Sequence, residues 1–285
     1  MRIDAHHHVW DLAVRDQPWT AALPALRRTF TVDDLRPSAA RHGIDATVVV
    51  QTVCVPEETP ELLALAARDP LVAGVVGWVD LTAPDVGDRL DALRGLPAGR
   101  ALVGVRHQVQ EEPDPRWLCR PDVRRGLAAV ADAGLAYDLV VTPDQLPAVV
   151  DTVRAVPGLK FVLDHAGKPP IASGVIAPWE SDVRKLAASA NVAAKLSGLV
   201  TEADHDTWEV ADLRPYADVV LDAFGPGRVM FGSDWPVCLL AGGYDRVVAA
   251  AEALAAELSG PERAAVFGGT ARRWYGLDDE GTGPR

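Results

Sequence analysis

Short apolar segments alternate with amphipathic ones from end to end of this 285-residue chain. Strand-like runs fall at 2–8, 46–51, 73–79, 102–107, 135–141, 159–165, 192–197 and 229–234. Most are nearly continuous in Val, Leu and Ala, as strands covered on both faces are. Helical patterns lie between them, at 60–69, 86–95, 121–133, 180–190, 212–223, 243–258 and 260–274. Thr31-Val-Asp-Asp34 reads as an N-terminal cap opening the first helix, and Thr142-Pro143 opens another with proline where a helix tolerates it. A strand followed by a helix, eight times over, predicts a single-domain α/β fold: a (β/α)8 TIM barrel spanning 1–277. An open doubly wound sheet is the alternative. Its nucleotide-binding version would show G-x-G-x-x-G after the first strand, and none is there. The link over 9–30 is long for a strand-to-helix loop and carries Trp10, Pro18 and Trp19, so it is expected to fold over the barrel mouth. Residues 278–285, polar with Gly and Pro, are expected to form a flexible tail.

Composition excludes several classes. No run of 18 apolar residues occurs, so no transmembrane helix is expected. Net charge is −12 with no basic stripe, which argues against a nucleic-acid partner. Cys54, Cys119 and Cys238 form an odd set without C-x-x-C spacing, and the charged start runs directly into a strand. Together these predict a cytoplasmic protein with no disulfide framework. The expected partner is a small molecule; a homo-oligomer stays open.

The chemistry concentrates where strands end, which in a barrel is the active face. In Asp4-Ala-His6-His7-His8 the side chains alternate, so His6 and His8 share one side of the strand and His7 takes the other. Two imidazoles one pleat apart can share a metal ion. A purification-tag remnant would sit in a polar linker, whereas these histidines sit inside an Ile/Ala/Val/Trp strand. Further out-of-place polar residues end other strands: Gln51, Trp78 and Asp80, Arg106 and His107, Asp164 and His165, and Asp234. Lone histidines at strand ends are commonly structural, and Asp before Trp-Pro is commonly a turn former. Convergence is the stronger argument. The first strand should close against the eighth, placing Asp234 beside His6 and His8, and three neutral histidines with one carboxylate suit zinc with room for water. Strict alternation lets only one of Arg106 and His107 face the mouth, unless a bulge admits both. The same holds for His165, taken as inward, and Asp164, taken as its supporting partner. Lys195 and Ser197 share a face, either as a buried pair tying strands together or as substrate contacts.

Several segments together resemble the amidohydrolase superfamily, and within it a branch of small lactonases acting on fuconolactone, rhamnonolactone, muconolactone or pyrone dicarboxylate. They are Ile3-Asp-Ala-His-His-His-Val-Trp10, Gly104-Val-Arg-His-Gln108, Val162-Leu-Asp-His-Ala-Gly-Lys-Pro169, Lys195-Leu-Ser-Gly198, Phe231-Gly-Ser-Asp-Trp-Pro-Val-Cys238 and Phe267-Gly-Gly-Thr-Ala-Arg-Arg-Trp-Tyr-Gly-Leu277. The resemblance implies that His6, His8 and His165 are the metal-site histidines and that Asp234 is the acid/base carboxylate. Departures from the wider superfamily matter too. No bridging lysine or glutamate ends the fourth strand, and the fifth ends in Val-Val-Thr, so one divalent ion, zinc by expectation, is the most the site should hold. Thr270 stands where the branch often has Asn, with only a local effect expected on the last helix. Some lactonases of the branch dispense with the metal and polarise the carbonyl with the histidines themselves.

The resulting expectation is a lactone-opening hydrolase. Asp234 takes a proton from water and passes it to the ring oxygen, while the His6/His8/His165 cluster or its metal polarises the carbonyl. Arg106, His107, Lys168 and Gln51 are candidates for holding substrate groups, and Trp10, Trp78 and Trp235 for flat walls. The rivals are a metal-dependent non-oxidative decarboxylase of the same superfamily and a non-catalytic ligand-binding barrel.

Overall fold

A computed structural model describes residues 1–277; the expected tail at 278–285 lies outside the described residues. All eight predicted strands form: β1 (Ile3–His7), β2 (Ala46–Val50), β3 (Val72–Gly77), β4 (Leu102–His107), β5 (Ala136–Leu139), β6 (Lys160–Leu163), β7 (Val192–Leu196) and β8 (Val229–Phe231). They lie in sequence order in one sheet, each parallel to the next. A parallel bridge between His7 and Trp235, with Asp234 N donating to His6 O at 2.8 Å, brings the end of β8 back to β1 and rounds the sheet into a barrel. Most strands end one or more residues earlier than the apolar runs suggest. The last residues of those runs belong to the loops that build the site.

Helices α1 (Val32–Arg41), α2 (Glu58–Arg68), α3 (Val86–Arg94), α4 (Pro121–Asp132), α5 (Leu146–Ala155), α6 (Trp179–Ala187), α7 (Val210–Phe224) and α8 (Tyr244–Leu254) follow the strands in turn. Thr31 and Asp34 form the expected reciprocal cap on α1. The single helix expected over 260–274 is broken instead into α9 (Gly260–Ala264), a wide turn over Ala265–Gly269, and α10 (Thr270–Tyr275). The reason is steric. Gly268 passes the start of β1 so closely that a Cβ there would lie 2.3 Å from the Met1 carbonyl oxygen. Thr270 opens α10, and its hydroxyl donates to the Pro226 carbonyl at 3.3 Å, tying the helix to the turn before β8.

Two apolar layers result. A large one packs the helices onto the outside of the sheet. A smaller one fills the barrel with Ile3, Ala5, Val48, Val76, Val162, Ala193 and Met230, and closes against Ala271, Tyr275 and Leu277 of the C-terminal segment. Buried charged side chains, Lys195 and Asp138 among them, share the barrel interior with it. The 9–30 link is stapled to itself by the Trp10–Phe30 backbone pair and by Trp10 Nε1 donating to Arg28 O at 2.7 Å. It sends Pro18 and Trp19 over the mouth, as expected.

Candidate active site

A cavity of about 660 Å3 opens at the C-terminal ends of the strands, a size ordinary for small-ligand sites. His8, Arg106, His107, His165, Lys168 and Asp234 line it, together with the loop Thr52-Val53-Cys54, Glu112, Glu202 and the covering Trp19. That loop is pinned from behind. Buried Glu58, at the start of α2, accepts the Thr52 and Val53 amides at 2.9 and 3.0 Å and the Thr52 hydroxyl.

His8 and Asp234 line the cavity, and fully buried His6 lies just beneath them: its Nε2 is 3.2 Å from His8 Nε2 and 3.7 Å from Asp234 Oδ1, and His8 Nε2 lies 3.4 Å from the same oxygen. His7 faces away and bonds Thr47 Oγ1 at 2.9 Å. The register of β1 shifts between Asp4 and His7, so Ala5 joins the inner apolar layer while His6 also reaches the barrel axis. His165 follows β6 with its backbone in the left-handed region (φ 52°), its Nδ1 against Ser197 Oγ at 2.9 Å and its ring 4.5 Å from that of His6. This turn brings His165 to the cavity and leaves Asp164 beneath it as a supporting partner, as expected. Asp164 is buried and meets Arg106 Nη1 at 2.9 Å and Lys195 Nζ at 2.9 Å.

Beneath the histidines lies a closed charge network. Lys195 is fully buried, donates to Asp138 at 2.6 Å and lies 3.0 Å from His6 Nδ1. Tyr275 of α10 donates to Asp138 at 2.8 Å. Of the two readings open for Lys195 and Ser197, the structure takes the buried one. Asp138 and Tyr275 escape sequence reasoning. The available signal is an Asp in the middle of the apolar run Ala-Tyr-Asp-Leu. Glu112 and Glu202 escape it as well, because they lie in loops with no pattern.

Arg106 and His107 both line the cavity, which corrects the alternation argument: His107 is the last residue of β4, and the chain leaves the sheet there. Arg106, however, spends its guanidinium on the protein. Nε reaches Gln51 Oε1 at 3.2 Å, Nη2 reaches Gln51 O and Oε1 at 2.6 and 3.0 Å, and Nη1 reaches Asp164 and His6. Gln51 is thus a brace for Arg106 and lies behind the wall. Trp78 also stands behind it, donating from Nε1 to His107 Nδ1 at 3.0 Å. Trp10 and Trp235 pack on Phe30, with ring centroids 5.1 and 5.5 Å apart, and hold the covering link. None of these four lines the described cavity; the indole at the mouth is Trp19.

Burial lowers His6 well below the ordinary imidazole range, with Lys195 adding to the effect and Asp164 opposing it. Burial likewise pushes His165 down to about 4 against the pull of Asp234 and Asp164. Both are therefore neutral near pH 7. Burial alone would raise Asp234, but His165, His8 and Lys168 outweigh it and hold the carboxyl below its usual value, so it is an ionised base.

These donors fit a divalent ion. Zinc bonds of 2.0–2.1 Å in a tetrahedron put ligand atoms about 3.3 Å apart, close to the 3.2–3.7 Å spacings of His6, His8 and Asp234. His8 Nδ1 bonds the Val50 carbonyl at 2.8 Å, which leaves its Nε2 with the lone pair a metal needs. His165 groups instead with His6 and Asp164, whose oxygens are already taken by Arg106 and Lys195.

A family model described as amidohydrolase matches residues 3–277. The chain belongs to the amidohydrolase family. It is 42% identical over 282 residues to an L-fucono-1,5-lactonase of Burkholderia ambifaria, covering 97% of this chain and 96% of that one. A second L-fucono-1,5-lactonase, from Burkholderia multivorans, is 42% identical over 98% of this chain and 97% of its own. A Burkholderia multivorans amidohydrolase solved with zinc bound superposes with a TM-score of 0.92 at 41% identity, covering 98% of this chain and all of that one.

Proposed function

We propose that this protein hydrolyses a neutral sugar-acid lactone, with L-fucono-1,5-lactone as the first substrate to try. One observation carries the reading: the His6/His8/Asp234 cluster at the base of a cavity sized for a small ligand, with His8 and Asp234 on its wall, in a chain 42% identical along nearly its whole length to an L-fucono-1,5-lactonase. In this reading His6, His8 and Asp234 hold one zinc ion, which when bound polarises the lactone carbonyl. Asp234 accepts a proton from the attacking water and returns it to the ring oxygen as the ester C–O bond breaks, giving the free hydroxy acid. Neutral His165, fixed by Ser197, faces the carbonyl oxygen as charge builds there. Trp19 and Pro18 limit the water that reaches it. A cytoplasmic site of action goes with this reading; among the described residues no helix is long and apolar enough to cross a membrane.

A decarboxylase has less support, because the curated relatives at 42% identity along nearly the whole chain are lactonases. The complete set of converging donors counts against a barrel that only binds. A panel of aldonolactones, muconolactones and aromatic acids, scored by acid release with a pH indicator and by CO2 evolution, tests the assignment. Acid from aldonolactones is expected; CO2 from an aromatic acid would overturn it. Elemental analysis of the purified protein should find at most one equivalent of zinc. Two equivalents, both required for turnover, would sink the single-ion site.

A further inference from the structure

Among the described residues, the Lys and Arg side chains on the cavity wall are Arg106 and Lys168, and the carboxylates are Glu111, Glu112, Glu202 and Asp234. Arg106 has five N–H groups; four contacts to oxygens of Gln51 and Asp164 engage all three of its nitrogens, and Nη1 also lies 3.3 Å from His6 Nε2. Lys168 faces Glu202 at 3.7 Å. A hydroxyl entering this space meets carboxylate acceptors.

One of those acceptors is held by a defined chain of hydrogen bonds. The Trp78 indole can only donate, and it donates to His107 Nδ1 at 3.0 Å, so the proton of His107 sits on Nε2. His107 Nε2 donates to Glu112 Oε1 at 2.7 Å. The ring is stacked on Trp117 at 4.3 Å with only 8° between the planes, and Cys54 Sγ lies 3.7 Å from Nδ1. Both nitrogens of His107 are thereby used, and the residue has no free polar atom for a ligand. Glu112 keeps unused lone pairs, with its side chain 27% exposed on the cavity wall.

We infer that Glu112 is the specificity residue that reads hydroxyl groups on the lactone ring, and that His107 is the positioning residue that aims it. This deepens the lactonase reading and rests on it. A simple staple for the loop after β4 would use the same bonds, but it would not distinguish one lactone from another.

The test compares kcat/KM for L-fucono-1,5-lactone with that for δ-valerolactone, which has the same six-membered ester and no hydroxyls. Glu112→Ala should lower the ratio of the two about 10–100-fold, the worth of a charge-assisted hydrogen bond. Glu112→Gln, which keeps a neutral acceptor, should fall between, and it serves if the alanine variant does not fold. His107→Phe keeps the stack but loses the N–H and should also lower the ratio. His107→Gln, which restores a donor, should recover part of it. Equal losses on both lactones, or no change in the ratio, would overturn the assignment and leave His107–Glu112 as a loop staple. A wild-type protein inactive on every lactone would instead overturn the lactonase reading, and this inference with it.

Discussion

The charged groups on the barrel axis and those at the cavity rim differ in how completely they are satisfied. On the axis Asp138, Asp164, Lys195 and Arg106 are at most 3% exposed and closed on one another at 2.6–2.9 Å. At the rim Lys168 and Glu202 are 25% and 26% exposed and stand 3.7 Å apart. Two positive charges cancel two negative ones on the axis, so that layer has nothing left to give a ligand. It holds His6 and the site's geometry. The rim keeps spare lone pairs and N–H groups, and those are what a substrate can use. Burial is the divider. A buried ion must have its partner, whereas a half-exposed one can exchange its partner for water or a hydroxyl.

Asp234 stands between the two layers, and its replacement should have the largest effect. Asp234→Asn keeps the shape but cannot accept the proton, and kcat should fall by about 10²–10⁴-fold. Circular dichroism would check the fold, and a variant keeping more than half the wild-type rate would remove Asp234 from the chemistry. Lys195→Met comes next. It leaves Asp138 and Asp164 buried with one cation fewer, which should cost about 3–5 kcal/mol of stability in denaturant titration. A loss below about 1 kcal/mol would mean that the axis is as forgiving as the rim. The smallest effect belongs to Lys168→Met, expected to change stability by less than about 1 kcal/mol because its pair is partly solvated. Its mark should be on KM. A stability loss rivalling that of Lys195→Met would erase the distinction drawn between the layers.

The barrel was legible because each buried strand prints its own apolar run, and the chemistry-bearing residues interrupt those runs where they end. His6, His8, His165 and Asp234 could be found that way. Their supports could not, because a pairing across a barrel leaves no local pattern. Lys195 reads alike as a tie or a ligand until Asp138 is placed on β5 opposite it. Gln51, Trp78 and Trp235 sit at strand ends like the site residues, yet they turn behind the wall to brace Arg106, His107 and the covering link. Alternation misjudged Arg106/His107 because it holds within a strand, and that pair lies where the chain leaves the sheet. Glu112 and Glu202 follow strands by several residues, beyond the reach of any periodicity.

Tyr275 has a consequence for how the molecule comes to be made. Its hydroxyl reaches from the final turn of α10 to Asp138 at the barrel's heart, and Ala271 and Leu277 cover the same end. A ribosome delivers this segment after every strand has already emerged. Until then the nascent barrel carries an open base and an acid short of one donor, so the keystone arrives last. Chains released before α10 should be the ones that proteases find, and a stop codon that removes only this short segment should act on the whole enzyme rather than on its edge.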